Sequence, residues 1–296
     1  MTSDRRQAFT ALVALAFVWG YTWVVVKVAT HDGSPWFVAA GRTSIGCVVL
    51  AIALAATRRS FAPTPAGWTA AAGLLQTTGF ILLQTLAVAA GGAGKTSILT
   101  YTMPFWVCLM AWPYLGERIT RTRWIALGLA AAGLAFVLVP INAGTLAADV
   151  LAVAGGIVWA ASAVVVKRFR SAHDVDLLRF TFWQMVWGMP PLIVLAAILP
   201  EHVTWTPSFV GAMIFIGVMS QALAWLLWLF ILQRLPASVA GIASLATPVL
   251  GVGFAALQLH EIPPLTEITG MIFIVAALAV NSRPEGSIGR SSTSSE

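Results

Sequence analysis

The chain has 296 residues, 59% of them hydrophobic and 9% charged, with a formal net charge of +6 and a mean hydropathy of +0.87. Soluble domains carry about 25% charged residues, and this chain has too little polar surface to cover a water-soluble fold of its length. A cytosolic enzyme, a nucleic-acid binder and a disordered chain are excluded, which leaves an integral membrane protein.

Ten apolar stretches follow one another along the chain: Ala8–Ala29, Trp36–Ala56, Gly67–Ala90, Thr96–Leu115, Trp124–Ile141, Ala148–Lys167, Leu177–Leu199, Ser208–Leu232, Val239–Leu259 and Glu267–Ser282. Most are close to the about 20 residues that a helix needs to cross a bilayer, and the last is the shortest. Their apolar runs are continuous rather than alternating, so the expected class is all-α and not a β-barrel. Turn and charge signals separate them: His31 to Pro35, Arg58-Arg59, Gly91-Gly92, Asn142 to Gly144, Pro200-Glu201 and Pro263-Pro264. The first stretch is longer than a typical signal-peptide core and lacks a clear cleavage site, so it is expected to be retained. The Ser/Gly-rich stretch 283–296 is expected to be a disordered cytoplasmic tail. Cys47 and Cys108 lie in apolar runs, read as packing residues without a disulfide, and no metal-ligand spacing or cofactor motif is present.

With ten spans, both termini share one side of the membrane. On that side fall Arg5, Arg6, Arg58, Arg59, Arg118, Arg121, Arg123, Lys167, Arg168, Arg170, Arg179, Arg234, Arg283 and Arg290, leaving only Lys27, Arg42 and Lys95 of the 17 basic residues. Basic residues collect in cytoplasmic loops, so the expected topology has cytoplasmic termini.

The sequence also matches itself. Trp19 and Lys27 are eight residues apart, as are Trp159 and Lys167, at an offset of 140. Pro104 precedes Glu117 by 13 residues and Pro248 precedes Glu261 by 13, at an offset of 144. Five helices per repeat is an odd number, so the second unit enters the membrane from the opposite side. Residues 1–147 and 148–282 are thus expected to form two inverted five-helix repeats, an arrangement suited to alternating access.

Trp19-Gly20 in the first helix, Pro104 in the fourth, and Gly116-Glu117-Arg118-Ile119-Thr120 after it resemble the EamA branch of the drug/metabolite transporter superfamily. The similarity spans residues 8–282 and departs at His260-Glu261-Ile262-Pro263-Pro264, where the glycine and the hydroxyl residue are replaced. The resemblance implies a multi-pass transporter of a bacterial inner membrane. Within that family the chain resembles amino-acid exporters, including those for aromatic amino acids.

No acid or histidine sits in the middle of a span. All 11 acids and all four histidines lie at helix ends, in loops or in tails. A charge at mid-bilayer costs at least about 2.5 kcal/mol and is normally functional, so the expectation is facilitated movement rather than a proton relay. Trp19 and Trp159 either line a cavity as repeat mates or pack structurally, and Trp183, equally deep, is a candidate substrate-binding residue with them. Gln76, Gln84, Tyr101, Gln184 and Ser244 offer amides and hydroxyls suited to a zwitterion, while Gln84 and Gln221 can instead tie helices together. Pro104 and Pro248 break their helices and are candidate gating points. Arg42 can present a bidentate fork to a carboxylate, but snorkelling outward or pairing with Asp32 is the preferred reading. Lys27 is read as interfacial. Lys95, in Gly91-Gly92-Ala93-Gly94-Lys95-Thr96, lacks the first glycine of a phosphate loop and follows a helix, so nucleotide binding is rejected.

The expected function is export of small organic solutes, foremost amino acids, without a cofactor and without nucleic acid as a partner; oligomeric state stays open. The alternative is a proton-antiporting exporter of nucleosides, organic cations or another drug class. An enzyme is not expected, because Glu117 falls inside while His260 and Glu261 fall outside, too far apart to form one site.

Overall fold

The computed structural model describes residues 3–116, 119–138, 145–174, 176–234 and 246–281. The described residues are helical apart from turns and a single antiparallel bridge between Gly33 and Val203. The rods are α1 (Ser3–Asp32), α2 (Pro35–Ala56), α3 (Ala66–Ala90), α4 (Ala93–Leu115), α5 (Arg121–Leu138), α6 (Leu146–Ala172) and α7 (Leu177–Ile198). Then come α8, in three consecutive stretches (Pro207–Ile214, Phe215–Leu223, Ala224–Arg234), α9 (Ala246–Leu259) and α10 (Leu265–Asn281). Eight of these are long and apolar enough to cross a membrane, while α9 and α10 are shorter apolar helices. Where both exist, the rods lie within a few residues of the stretches expected from sequence. The residues 139–144, 235–245 and 282–296 lie outside the described part, as do Glu117, Arg118 and Ser244.

Local chemistry sets the helix ends. Asp176 caps α7, accepting from Leu178 N at 2.8 Å and Arg179 N at 3.2 Å, and Thr206 caps α8, accepting from Phe209 N at 3.0 Å just before Pro207. α4 breaks at Tyr101-Thr102, one turn before Pro104, which has no N–H to give the preceding turn. Trp106 Nε1 donates to Thr102 Oγ1 across that break at 3.1 Å. Gly116 ends α4 at φ 69°, a left-handed position that favours glycine. His260, 144 residues further on, ends α9 at φ 57°, also a positive φ.

Two π-helical stretches were not foreseen: Gly73–Phe80 within α3 and Phe215–Leu223 within α8. They begin 142 residues apart, inside the 140–144 offset of the sequence matches. Neither stretch contains a proline to announce it.

The helices pack in recurring pairs. α1 lies against α9 and α8, and α6 lies against α4 and α3. α2 lies against α8 as α7 lies against α3, and α5 lies along α10. Glycines allow the closest approaches. A Cβ on Gly133 would sit 2.7 Å from the Gly270 carbonyl, and one on Gly188 would collide with the Gly73 backbone and the Thr77 side chain. Small residues at such crossings are how apolar helices associate where water supplies no driving force. Outward faces carry exposed apolar side chains such as Val13, Ile52, Val150 and Ile272, as a lipid-facing surface requires, and Trp124 and Trp205 are exposed near helix starts.

Candidate functional site

A cavity runs into the centre of the bundle. Its wide part, about 750 Å³, begins among Lys167, Arg170 and Ser171 on α6, Phe180 and Thr181 on α7, and Asn281 on α10. It narrows past Pro104 and Ser162 onto Trp19, Gln76, Tyr101, Trp159, Gln184 and Trp225. Those six side chains also form the mouth of a deep chamber of about 60 Å³, which adds Thr22, Trp23, Arg42, Thr77, Phe80, Gln84, Ser220 and Gln221. Both halves of the chain contribute to both compartments.

The sequence-predicted residues divide clearly. Trp19, Gln76, Gln84, Tyr101, Trp159 and Gln184 come together around the chamber, and Pro104 lines the wide part. Trp183 is not among the lining residues of either compartment; its Nε1 donates to the Phe61 carbonyl at 3.2 Å. Consecutive helical residues point about 100° apart, so Gln184 facing the cavity turns Trp183 away from it. The carbonyl of Pro248 accepts a 3.5 Å hydrogen bond from Ser97 Oγ. Ser244 lies outside the described residues.

The walls are aromatic. Trp159 packs on Phe80 with ring centroids 4.8 Å apart and meets Tyr101 edge-on at 5.8 Å. Trp19 meets Trp225 edge-on at 6.0 Å. The π-helical stretches deliver the polar groups: Gln76 and Thr77 come from one, Ser220 and Gln221 from the other. π-helical turns recur at functional sites because the extra residue re-aims its neighbours. Gly156 brings α6 against the α4 break, where an added Cβ would stand 2.9 Å from the Thr100 carbonyl.

Two basic residues behave differently from the expectation. Arg42 neither snorkels nor pairs with Asp32: it is 2% exposed, and Asp32 contacts His31 and Thr206 instead. Its Nη1 reaches Gln84 Oε1 at 3.3 Å, its Nη2 reaches Ser220 Oγ at 3.5 Å, and among the described residues its Nε has no partner. Lys27 is not simply interfacial. Its Nζ donates to the carbonyls of Val88 (3.0 Å), Ala89 (3.1 Å) and Gly91 (2.7 Å), at the C-terminal end of α3, where a cation also meets the negative end of the helix dipole.

That tie belongs to a closed end. There α1 packs on the last turns of α3 (Ile81–Ala90) and the first half of α4 (Ala93–Thr100). Glu261 accepts from Ala93 N at 3.1 Å and Gly94 N at 3.0 Å. Lys95 pairs with Asp149 at 2.9 Å and Glu267 at 3.3 Å, so it is engaged in ion pairs rather than presented to a phosphate.

Comparison with known proteins decides the family. The chain matches the EamA-like transporter family twice, over residues 7–139 and again over 146–283. The chain belongs to that family. A relative in Bacillus subtilis, the uncharacterized transporter YoaV, is 27% identical over 279 residues, covering 92% of this chain and 95% of that protein. A Salmonella typhimurium protein named a probable amino-acid metabolite efflux pump is 23% identical over 294 residues, covering 94% and 95%. A crystal structure with 16% identity superposes with a TM-score of 0.65 over 93% of this chain and 96% of that one, which establishes the fold alone. As an EamA-like transporter the chain is a multi-pass membrane protein that acts on a small-molecule substrate.

Proposed function

We propose that this EamA-like transporter exports amino acids, aromatic ones included, by alternating access between two inverted five-helix repeats, residues 1–147 and 148–282. In this reading the ten helices all span a bacterial inner membrane with both termini in the cytoplasm, and the wide end of the cavity faces the cytoplasm. The observation that carries it is a central cavity, lined by both halves, that widens at one end and is packed shut at the other. The paired helix contacts and the 142-residue spacing of the π-helical stretches support the internal repeat. The cluster of Lys167 and Arg170 at the wide end supports its cytoplasmic assignment.

Aromatic walls with amide and hydroxyl groups suit an amino acid, and the name of the Salmonella relative points the same way. Movement is facilitated: no Asp or Glu lies among the described residues that line the cavity, so a carboxylate proton carrier is missing from the path. Counterflow in proteoliposomes across amino acids, nucleosides and organic cations tests the substrate, with and without an imposed pH gradient. Amino-acid exchange that ignores the gradient supports the reading. Exchange restricted to nucleosides or cations, or driven only by the gradient, replaces it with proton-antiporting export of another class.

A further inference from the structure

Among the described residues, Arg42 is a buried cation without a counter-ion. Full burial of a guanidinium is tolerated when a carboxylate and further hydrogen bonds compensate the lost hydration. Here the contacts are two neutral acceptors at 3.3 and 3.5 Å, longer than the about 2.7–2.9 Å of a good charge-assisted hydrogen bond, and Nε is unmatched. The side chain faces a chamber whose lining includes no acid, and the wide approach to that chamber contains Lys167 and Arg170 and again no acid. The compensating anion is therefore missing from the described protein around the site, while the position where it would sit opens onto the cavity.

We infer that Arg42 is the anchor for a carboxylate carried by the substrate, and that the substrate class is organic monocarboxylates with an apolar or aromatic body. This rests on the transport reading above and narrows it: the carboxylate is required and the α-ammonium is dispensable. The guanidinium forms a bidentate pair with the carboxylate at the deep end. The Trp159 and Phe80 rings then lie beside the substrate's body, and the cationic approach disfavours solutes of net positive charge. An amino acid and its deaminated analogue satisfy the site alike, whereas the corresponding amide does not.

The test uses the purified full chain and three ligands: L-phenylalanine, 3-phenylpropionate and 3-phenylpropanamide. Competition against labelled L-phenylalanine counterflow and ligand-induced thermal stabilisation in detergent are measured side by side. The expected result is that 3-phenylpropionate competes and stabilises within about tenfold of L-phenylalanine, while the amide is about 10- to 100-fold weaker, the range expected for losing hydrogen bonds to a charged group. Arg42→Gln should remove the difference between acid and amide, and Arg42→Lys should restore part of it. Equal response of the native protein to acid and amide overturns the inference without any variant. Retained discrimination in a folded Arg42→Gln protein overturns it as well. Absence of amino-acid counterflow, with stabilisation by 3-phenylpropionate but not the amide, overturns amino-acid transport and leaves the carboxylate anchor standing. Absence of both sinks the anchor.

Discussion

The two ends of the central cavity carry related sequence but different structure. At the closed end, the last turns of α1 lie on the end of α3 and the start of α4, and Lys27 holds three carbonyls there. At the wide end, Lys167, the residue that stands to Trp159 as Lys27 stands to Trp19, lines the cavity. Among the described residues α6 makes no packing against Ala224–Arg234 comparable to that of α1 against Ile81–Ala90. Repetition in sequence has thus not produced two equal ends. What distinguishes them is which helix ends are in contact, and that is a property of conformation. Under the alternating-access reading proposed above, the polar ties are the contacts whose strength should set the balance between a structure closed at this end and one open there.

The largest effect is expected from Lys27→Met, which keeps the length and apolar stem but removes the charge and all three donors. Hydrogen bonds to charged groups are worth about 1.5–3 kcal/mol each, so losing the cluster should weaken the closed end by at least about 3 kcal/mol, or roughly 100-fold in a two-state balance. A cysteine at Thr22, in a background lacking Cys47 and Cys108, reports the opening. A membrane-impermeant maleimide applied from the Lys27 side should label it at least about tenfold faster in the Lys27→Met protein. Unchanged labelling would mean that the apolar packing of α1 closes this end unaided.

A smaller effect separates cavity from exterior. Trp159→Ala removes the ring that packs on Phe80 and Tyr101, and should weaken apparent affinity for an aromatic ligand about tenfold. Trp183→Ala, outside the cavity lining, should leave affinity within about twofold, although it loses a hydrogen bond to Phe61. Equal losses in tryptophan-quenching titrations of the two variants would contradict the cavity described here.

These residues also show what was legible in the sequence. Helix positions were, because each is a long apolar run between charged or Gly/Pro-rich turns. Trp19 and Trp159 were, because the 140-residue offset singled them out of 13 tryptophans. Depth along a helix can be counted, which sets Trp183 level with the cavity, whereas the face it presents depends on neighbouring helices. Arg42 suffered from the same gap: its position two turns into α2 is compatible with lipid, water or core, and only the packing of α3 and α8 around it selects the core. The Lys27 tie was hidden because its acceptors are backbone carbonyls, which leave no trace in side-chain identity. The π-helical stretches share that difficulty, since no residue type requires them.

The smallest effect concerns the turns that end α4 and α9. Gly116 and His260 both take the left-handed conformation, at φ 69° and 57°. An L residue there costs about 1–2 kcal/mol, whereas introducing glycine costs about 0.4–1 kcal/mol through the entropy of the unfolded chain. Among the described residues no other part of the fold lies within 4 Å of a Cβ placed on Gly116, so Gly116→Ala reports backbone strain without a clash and should lower stability by about 1 kcal/mol. His260 is exposed, so His260→Gly sacrifices little packing and should raise stability by less than about 1 kcal/mol. Thermal unfolding in detergent measures both. The two substitutions should move the midpoint in opposite directions. If His260→Gly instead lowers it, the imidazole supports the closed end beside Glu261 in a way its exposure does not suggest, and the two turns are alike in backbone only.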